Sequence, residues 1–184
     1  MSRNEGYERE LKFADVDLNL LRVRLLELSA EKQGPPTLED NWIFDREGQL
    51  AAGDQLLRLR LDGRGAHITY KGPSNFDGGV KIRPEIETGV EDVEKARAII
   101  EALGYQLVRR YQKWREEWLL GSIVISLDHT PIGDFAEFEG ENCETVAKRS
   151  NLDPTKAEKR NYLQLYEEYL KEHPDAPLDM IFRE

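Results

Sequence analysis

Charged side chains alternate with apolar ones along several short segments of this 184-residue chain, and the alternation indicates where chemistry could occur. Glu8, Glu10 and Lys12 share one such face, and Glu137 and Glu139 share another. Side chains at positions i, i+2 and i+4 of a β-strand point to the same face of a sheet. Carboxylates from these two segments could therefore meet, and carboxylate oxygens are ligands that Mg²⁺ and Mn²⁺ prefer.

Basic side chains follow the same alternation on other segments. The pairs are Arg58 and Arg60, Lys81 and Arg83, and Lys113 and Arg115, with Lys71 on a segment of its own. A sheet face that is merely wetted by solvent is the ordinary explanation for alternating charges. That explanation gives no reason for acids to dominate the first and last segments and bases the middle ones. A site for a polyphosphate and a divalent cation does give one, because Arg and Lys bind the remaining phosphate charge.

The elements that carry these residues are predicted from periodicity and turn signals. Strands are expected at 7–14, 40–45, 55–61, 66–71, 80–88, 105–119, 122–128 and 134–140. A loop is expected at 73–79, and helices at 16–31, 91–103 and from Asp153 to about Lys171. This order is typical of an α+β fold with an antiparallel sheet. Eight strands are enough to close a barrel, which would enclose the charged faces.

Composition excludes several classes of protein. The chain carries 26 basic and 36 acidic residues, a net charge of −10, which disfavours binding to duplex nucleic acid. No apolar run is long enough to span a membrane. The single cysteine, Cys143, cannot form an internal disulfide, and residues 1–5 lack the apolar stretch of a signal peptide, so we expect a cytoplasmic protein. We expect a single domain over 1–171 and an irregular tail over 172–184.

The charged motifs resemble those of the CYTH superfamily, also called triphosphate tunnel metalloenzymes. Glu8-Arg9-Glu10-Leu11-Lys12 is similar to the Glu-x-Glu-x-Lys motif that opens this family. Further similarities follow in the family's order: Leu57-Arg58-Leu59-Arg60, Thr69-Tyr70-Lys71-Gly72-Pro73, Arg83-Pro84-Glu85-Ile86-Glu87, Leu127-Asp128, Gly133 to Gly140 and Lys159-Arg160-Asn161-Tyr162. In the last of these, Asn161 stands where the family usually has serine.

The resemblance implies a closed tunnel of eight antiparallel strands with helices packed outside, and it implies Mg²⁺ or Mn²⁺ as the cofactor. The metal ligands that it implies are Glu8, Glu10, Asp128, Glu137 and Glu139. The phosphate-binding residues that it implies are Lys12, Arg58, Arg60, Lys71, Arg83, Lys113, Arg115 and Arg160. The residues that it implies for catalysis are Lys12, Glu85, Glu87 and Asp128, and the roles of Glu85 and Glu87 are not distinguished. The resemblance also implies a homodimer, by analogy with relatives in the family.

The activity that we expect is hydrolysis of a phosphoanhydride in tripolyphosphate, ATP or thiamine triphosphate. The alternatives are a class IV adenylyl cyclase, which would make cyclic AMP and pyrophosphate from ATP, and a polyphosphate- or nucleotide-binding module without activity. The His-Phe pair of many such cyclases is replaced by Ser2 and Arg3. The tyrosines of the thiamine triphosphatase group are missing from 41–45. Trp42 is predicted at the tunnel mouth, and Tyr162 is predicted in the core or a dimer contact.

Overall fold

A computed structural model describes residues 6–183 of the chain. Ser2 and Arg3, which bear on the cyclase alternative, lie outside the described residues. The strands are β1 Tyr7–Ala14, β2 Glu31–Lys32, β3 Thr37–Asp45, β4 Leu56–Asp62, β5 Gly65–Lys71, β6 Asn75–Asp77, β7 Val80–Val90, β8 Gln106–Leu120, β9 Ile123–Thr130 and β10 Gly133–Glu139. The helices are α1 Leu18–Glu27, α2 Gln49–Ala52, α3 Val93–Ala102, α4 Cys143–Arg149 and α5 Tyr162–Glu172, with a 3₁₀ turn at Pro154–Lys156.

Eight of the strands close into an antiparallel barrel. The order around the barrel is β1-β10-β9-β8-β3-β4-β5-β7, and β7 pairs with β1 to complete the ring. The short strands β2 and β6 pair with β8 and β7 at the margins. The expectation of an α+β fold built on a closed eight-stranded barrel is confirmed.

The outward faces of the strands are apolar, and the helices cover them. On one side Leu11 and Phe138 pack with Leu21 and Leu25 of α1. On another side Leu59 packs with Phe44 of β3 and with Ile100 of α3. Burial of apolar surface is the main stabilising contribution to such a fold. The alternation therefore places the charged residues inside the barrel.

One end of the barrel is filled by aromatic and aliphatic side chains. Ile43, Tyr111 and Phe135 lie on β3, β8 and β10 and pack against Tyr162 and Tyr166 of α5. The rings of Phe135 and Tyr162 meet edge to face, with centroids 5.2 Å apart. Helix α5 therefore covers this end, which we call the floor. The opposite end lies near the β4–β5 turn and is called the mouth.

The last helix begins later than the sequence predicts. Asp153 does cap a turn, because its carboxylate accepts a hydrogen bond from the Thr155 N–H, but only the 3₁₀ turn follows. Helix α5 begins at Tyr162, where Asn161 and Gln164 form a reciprocal capping box. This second cap satisfies more of the free N–H groups than the first and determines where α5 begins.

Two other boundaries differ, and the tail is ordered by packing. Helix α1 is shorter than 16–31, because Ser29 adopts a positive φ of 60° just after it. The loop predicted at 73–79 contains β6.

Residues 173–183 have no helix, but Met180 forms a bridge with Tyr111 and is buried. No described helix has both the length and the apolar character needed to cross a membrane.

Candidate active site

The barrel contains a cavity of about 530 Å³ with a strongly charged lining. The acids predicted from the sequence that line it are Glu8, Glu10, Glu85, Glu87, Glu137 and Glu139. The predicted bases that line it are Lys12, Arg58, Arg60, Lys71, Arg83, Lys113 and Arg115. The closed sheet therefore brings together residues that are more than 100 positions apart in the sequence.

One wall of the cavity is organised around Lys71 of β5. Its Nζ donates hydrogen bonds to both carboxylate oxygens of Glu8, at 2.7 and 2.8 Å, and lies 3.2 Å from Glu85. Burial alone would lower the pKa of Lys71, but the charges of Glu8 and Glu85 outweigh burial and raise that pKa. Lys71 therefore stays protonated inside the barrel.

The opposite wall is organised around Asp128 of β9, whose side chain is fully buried beneath the lining. Its carboxylate accepts hydrogen bonds from Lys113 at 2.8 Å, from Arg115 at 2.6 and 2.7 Å, and from the Tyr162 hydroxyl at 2.7 Å. The ammonium groups of Lys12 and Lys113 lie 4.2 and 4.8 Å from the centre of the Tyr162 ring. The three donors occupy both oxygens of Asp128, which makes it an anchor for the two cations.

Glu10 and Glu137 lie in contrasting environments. Burial, followed by repulsion from Glu8, raises the pKa of Glu10 despite the attraction of Lys12. Burial also acts on Glu137, but Lys113 and Arg115 outweigh it and hold the pKa of Glu137 well below the usual range. The charge of Glu10 is thus only partly compensated by the cations around it.

The chemistry of these carboxylates fits a hard divalent cation. Glu8, Glu10, Glu137 and Glu139 present carboxylate oxygens to one cavity, and the raised pKa of Glu10 indicates a place where added positive charge would be favourable. Within residues 6–183, no three acidic, histidine or cysteine side chains are already gathered as a metal site. Several of these carboxylates instead contact lysine and arginine.

Comparison with known families finds one family whose model covers most of the chain. The model of the CYTH domain matches residues 6–165, which include every strand of the barrel. The chain belongs to the CYTH domain family. The enclosed charged cavity is therefore the CYTH tunnel, as the sequence motifs predicted.

Two proteins are similar in sequence over most of this chain. A candidate adenylate cyclase of Methanocaldococcus jannaschii is 29% identical in an alignment of 171 positions that covers 86% of this chain and 97% of the relative. The adenylate cyclase CyaB of Aeromonas hydrophila is 26% identical in an alignment of 182 positions that covers 89% of this chain and 91% of the relative.

Solved structures share the fold at lower identity. A candidate adenylate cyclase of Vibrio parahaemolyticus superposes with a TM-score of 0.78 at 20% identity, over 89% of this chain and 99% of that chain. HpAC1 of Hippeastrum, described as a candidate adenylyl cyclase with a dominant triphosphatase activity, has a TM-score of 0.58 at 17% identity, over 91% of this chain and 88% of that chain. At these identities the likeness concerns the fold alone.

The structure does not bring Arg160 to the CYTH tunnel. The Arg160 side chain is 41% exposed and forms ion pairs with Glu158 and Glu168 outside the barrel. Its backbone carbonyl faces the interior and lies 3.5 Å from Lys12 Nζ. The tunnel position of Arg160 was predicted from the motif Lys159-Arg160-Asn161-Tyr162. Of these residues, Tyr162 places its side chain at the tunnel.

Trp42 is also misplaced by the sequence prediction. It lies on the outer face of β3, packs against the apolar cluster beneath α3, and has the Arg97 guanidinium 5.6 Å from its ring. The reason is strand parity, since Asn41 and Ile43 point inward and the residue between them must point outward. Trp42 is therefore not at the tunnel mouth.

Glu39 is a charged residue of the tunnel that sequence reasoning missed. Its side chain lies on β3 beneath the lining and is surrounded by Arg60, Lys113 and Arg115. Burial would raise the pKa of Glu39, but these cations, led by Arg115, lower it to about 2. Extending the predicted strand 40–45 by a single residue would have placed Glu39 on the inward face with Asn41.

Proposed function

We propose that this CYTH protein hydrolyses a phosphoanhydride bond of a triphosphate in a divalent-metal-dependent reaction. The observation that carries the proposal is the lining of the tunnel, which brings lysine and arginine residues together with carboxylates inside a closed barrel. Such a lining suits a linear polyanion bound together with a metal. Recognition would rest on the phosphates, since Trp42 lies outside the barrel and could not stack on a base there.

The residues of the chain would bind and orient the phosphates. Lys12, Arg58 and Arg60 face the cavity and would neutralise phosphate oxygens, and Arg115 would add a guanidinium that Asp128 already orients. Phosphoryl transfer depends mainly on this positioning and on stabilisation of the charge in the transition state. The floor formed by α5 would keep bulk water from entering at that end.

The metal would be held by the carboxylates at the β1–β10 junction. Glu8, Glu10, Glu137 and Glu139 are the residues that we propose for Mg²⁺ or Mn²⁺, and Glu85 and Glu87 are those that we propose for a second ion or for the substrate. When bound, such a cation neutralises phosphate charge and supplies a water of lowered pKa. Asp128 is removed from this set, because it is fully buried beneath the lining, whereas the four glutamates line the cavity.

Product analysis tests the proposal. The purified protein would be incubated with tripolyphosphate, ATP and thiamine triphosphate in turn, with Mg²⁺ and then Mn²⁺, and the products resolved by phosphorus NMR. We expect orthophosphate from at least one of these substrates, and only when metal is present. Binding without turnover of any of them would contradict the proposal and favour a polyphosphate-binding module.

Adenylyl cyclase activity is the second candidate, and the names of the two relatives in sequence favour it. In that reaction the ribose 3′-hydroxyl of ATP attacks the α-phosphate. The same tunnel residues would serve, with a different phosphorus near the metal. HpAC1 is named as a candidate cyclase and yet has a dominant triphosphatase activity, so the cyclase name alone does not decide between the reactions. Pyrophosphate and cyclic AMP from ATP would identify the cyclase.

When the pH is lowered, the affinity for metal should fall at a higher pH than it would if Glu10 titrated as an ordinary glutamate. An unperturbed glutamate titrates near about 4.3, whereas burial and Glu8 raise the pKa of Glu10. A protonated Glu10 must lose its proton before it can bind the metal, so affinity falls as pH decreases through that raised pKa. Electron paramagnetic resonance of free Mn²⁺ from about pH 8 to about pH 4 measures this. An affinity that falls only where an unperturbed glutamate titrates would contradict the role of Glu10.

A further inference from the structure

Glu39 lies at the centre of a group of cations without touching the cavity. Its side chain is only 2% exposed. The nearest nitrogens are Lys113 Nζ at 3.6 Å, Arg60 Nη1 at 3.7 Å and Arg115 Nε at 3.8 Å. All three cations line the tunnel, and Glu39 lies behind them.

The three cations are oriented by other carboxylates. Asp128 holds Lys113 and Arg115 with hydrogen bonds of 2.6 to 2.8 Å, and Glu87 lies 3.3 Å from Arg60. The contacts of Glu39 are longer than these, and its Oε2 atom has no hydrogen-bond partner among the described residues. Glu39 therefore contributes a negative charge to the cluster, whereas Asp128 and Glu87 orient the cations.

This charge acts on the same nitrogens that a phosphate would bind. Electrostatic interactions are stronger in a buried cluster than in water, because the surroundings are less polarisable and less screened by salt. In the empty tunnel Glu39 offsets the mutual repulsion of Arg60, Lys113 and Arg115. In an occupied tunnel it repels the bound polyanion through these cations.

We propose that Glu39 is a built-in counter-charge that stabilises the empty tunnel and limits its affinity for polyphosphate, so that anionic products can leave. The inference rests on the proposed function, because it takes a triphosphate as the tunnel's ligand. Glu39 of β3 would thus affect turnover without contacting the substrate.

The test is the dissociation constant of tripolyphosphate in metal-free buffer, measured by titration calorimetry. Glu39→Gln should bind tripolyphosphate about tenfold more tightly than the wild type, because one buried negative charge is removed near the anion. Glu39→Asp keeps the charge and should stay within about twofold of the wild type. In steady-state assays Glu39→Gln should lower KM and also lower kcat, since product would leave more slowly.

Glu116→Gln is the matched control. Glu116 is also buried on β8 and hydrogen-bonded to Arg22, Lys32 and Trp118, but it lies on the outer face of the barrel. Its replacement should leave the affinity for tripolyphosphate unchanged. An equal gain in affinity in Glu116→Gln would overturn the proposal, because a general loss of negative charge would then explain the effect.

Two results would separate the failure of this inference from that of the proposed function. If the wild type binds tripolyphosphate and Glu39→Gln binds it equally or more weakly, Glu39 is not a counter-charge and the inference fails alone. If the wild type binds no tripolyphosphate with or without metal, the proposed function fails first. Should Glu39→Gln not fold, Glu39→Met replaces it, since methionine is neutral and of similar length. Equal or weaker binding by that variant would likewise overturn the inference.

Discussion

Replacing Glu10 by glutamine should reduce metal-dependent turnover by at least about a hundredfold, the scale of losing a group that stabilises charge in the transition state. Glu10 lies in the tunnel with its carboxylate only partly compensated by cations. The neutral amide would remove a ligand for the metal while keeping the shape of the side chain. Steady-state hydrolysis of tripolyphosphate at saturating Mg²⁺ measures the loss, and similar losses are expected for Glu8→Gln and Glu139→Gln.

The stability of the Glu10→Gln variant should distinguish a lost ligand from a damaged fold. Because the folded-state pKa of Glu10 is raised, ionising Glu10 costs folding free energy, and wild-type stability falls as pH rises through that pKa. Glu10→Gln removes this cost, so in metal-free buffer its free energy of unfolding should equal or exceed that of the wild type at neutral pH. Glu101→Gln, on the outer helix α3, is the control and should keep full activity. Full activity in Glu10→Gln would contradict the metal assignment.

Replacing Asp128 by asparagine should lower the free energy of unfolding by about 3–5 kcal/mol, the usual cost of removing one partner of a buried ion pair. Asp128 has no exposed surface and accepts hydrogen bonds from Lys113, Arg115 and Tyr162. The variant would leave two buried cations with less compensation. Urea titration followed by tryptophan fluorescence measures the loss.

Two further variants test this explanation. Asp134→Asn, at an exposed carboxylate that pairs with His129, should change stability by at most about 1 kcal/mol. Adding Lys113→Met to Asp128→Asn should recover part of the lost stability, because one stranded cation is removed. A loss in Asp128→Asn as small as that in Asp134→Asn would contradict the anchoring role.

The fold was largely predictable because charged and apolar residues alternate along most of the barrel strands. In strands such as β4, leucines alternate with arginines, and strand parity alone separates the covered face from the enclosed face. The boundaries of α5 were less predictable, because Asp153 and Asn161 are both competent N-caps and single-residue propensities do not show which cap tertiary packing favours.

The candidate site was predictable where a motif and strand parity agree, as at Glu8, Glu10 and Lys12 of β1. Asp128 required the structure, because its motif does not reveal that Lys113, Arg115 and Tyr162 occupy its oxygens. Arg160 was misplaced because it lies on an irregular segment between two caps, where no periodicity fixes the direction of a side chain. Glu39 was missed because the predicted strand began at 40, three residues after the start of β3, and so left Glu39 out.

Diffraction from crystals grown with tripolyphosphate and Mn²⁺, recorded at the manganese absorption edge, would show whether the tunnel holds the metal and the triphosphate together. We expect an anomalous peak inside the barrel, bound by carboxylates among Glu8, Glu10, Glu137 and Glu139, with phosphates on the lysine and arginine side chains that line the tunnel. Manganese or tripolyphosphate bound only outside the barrel would contradict both the metal site and the proposed function.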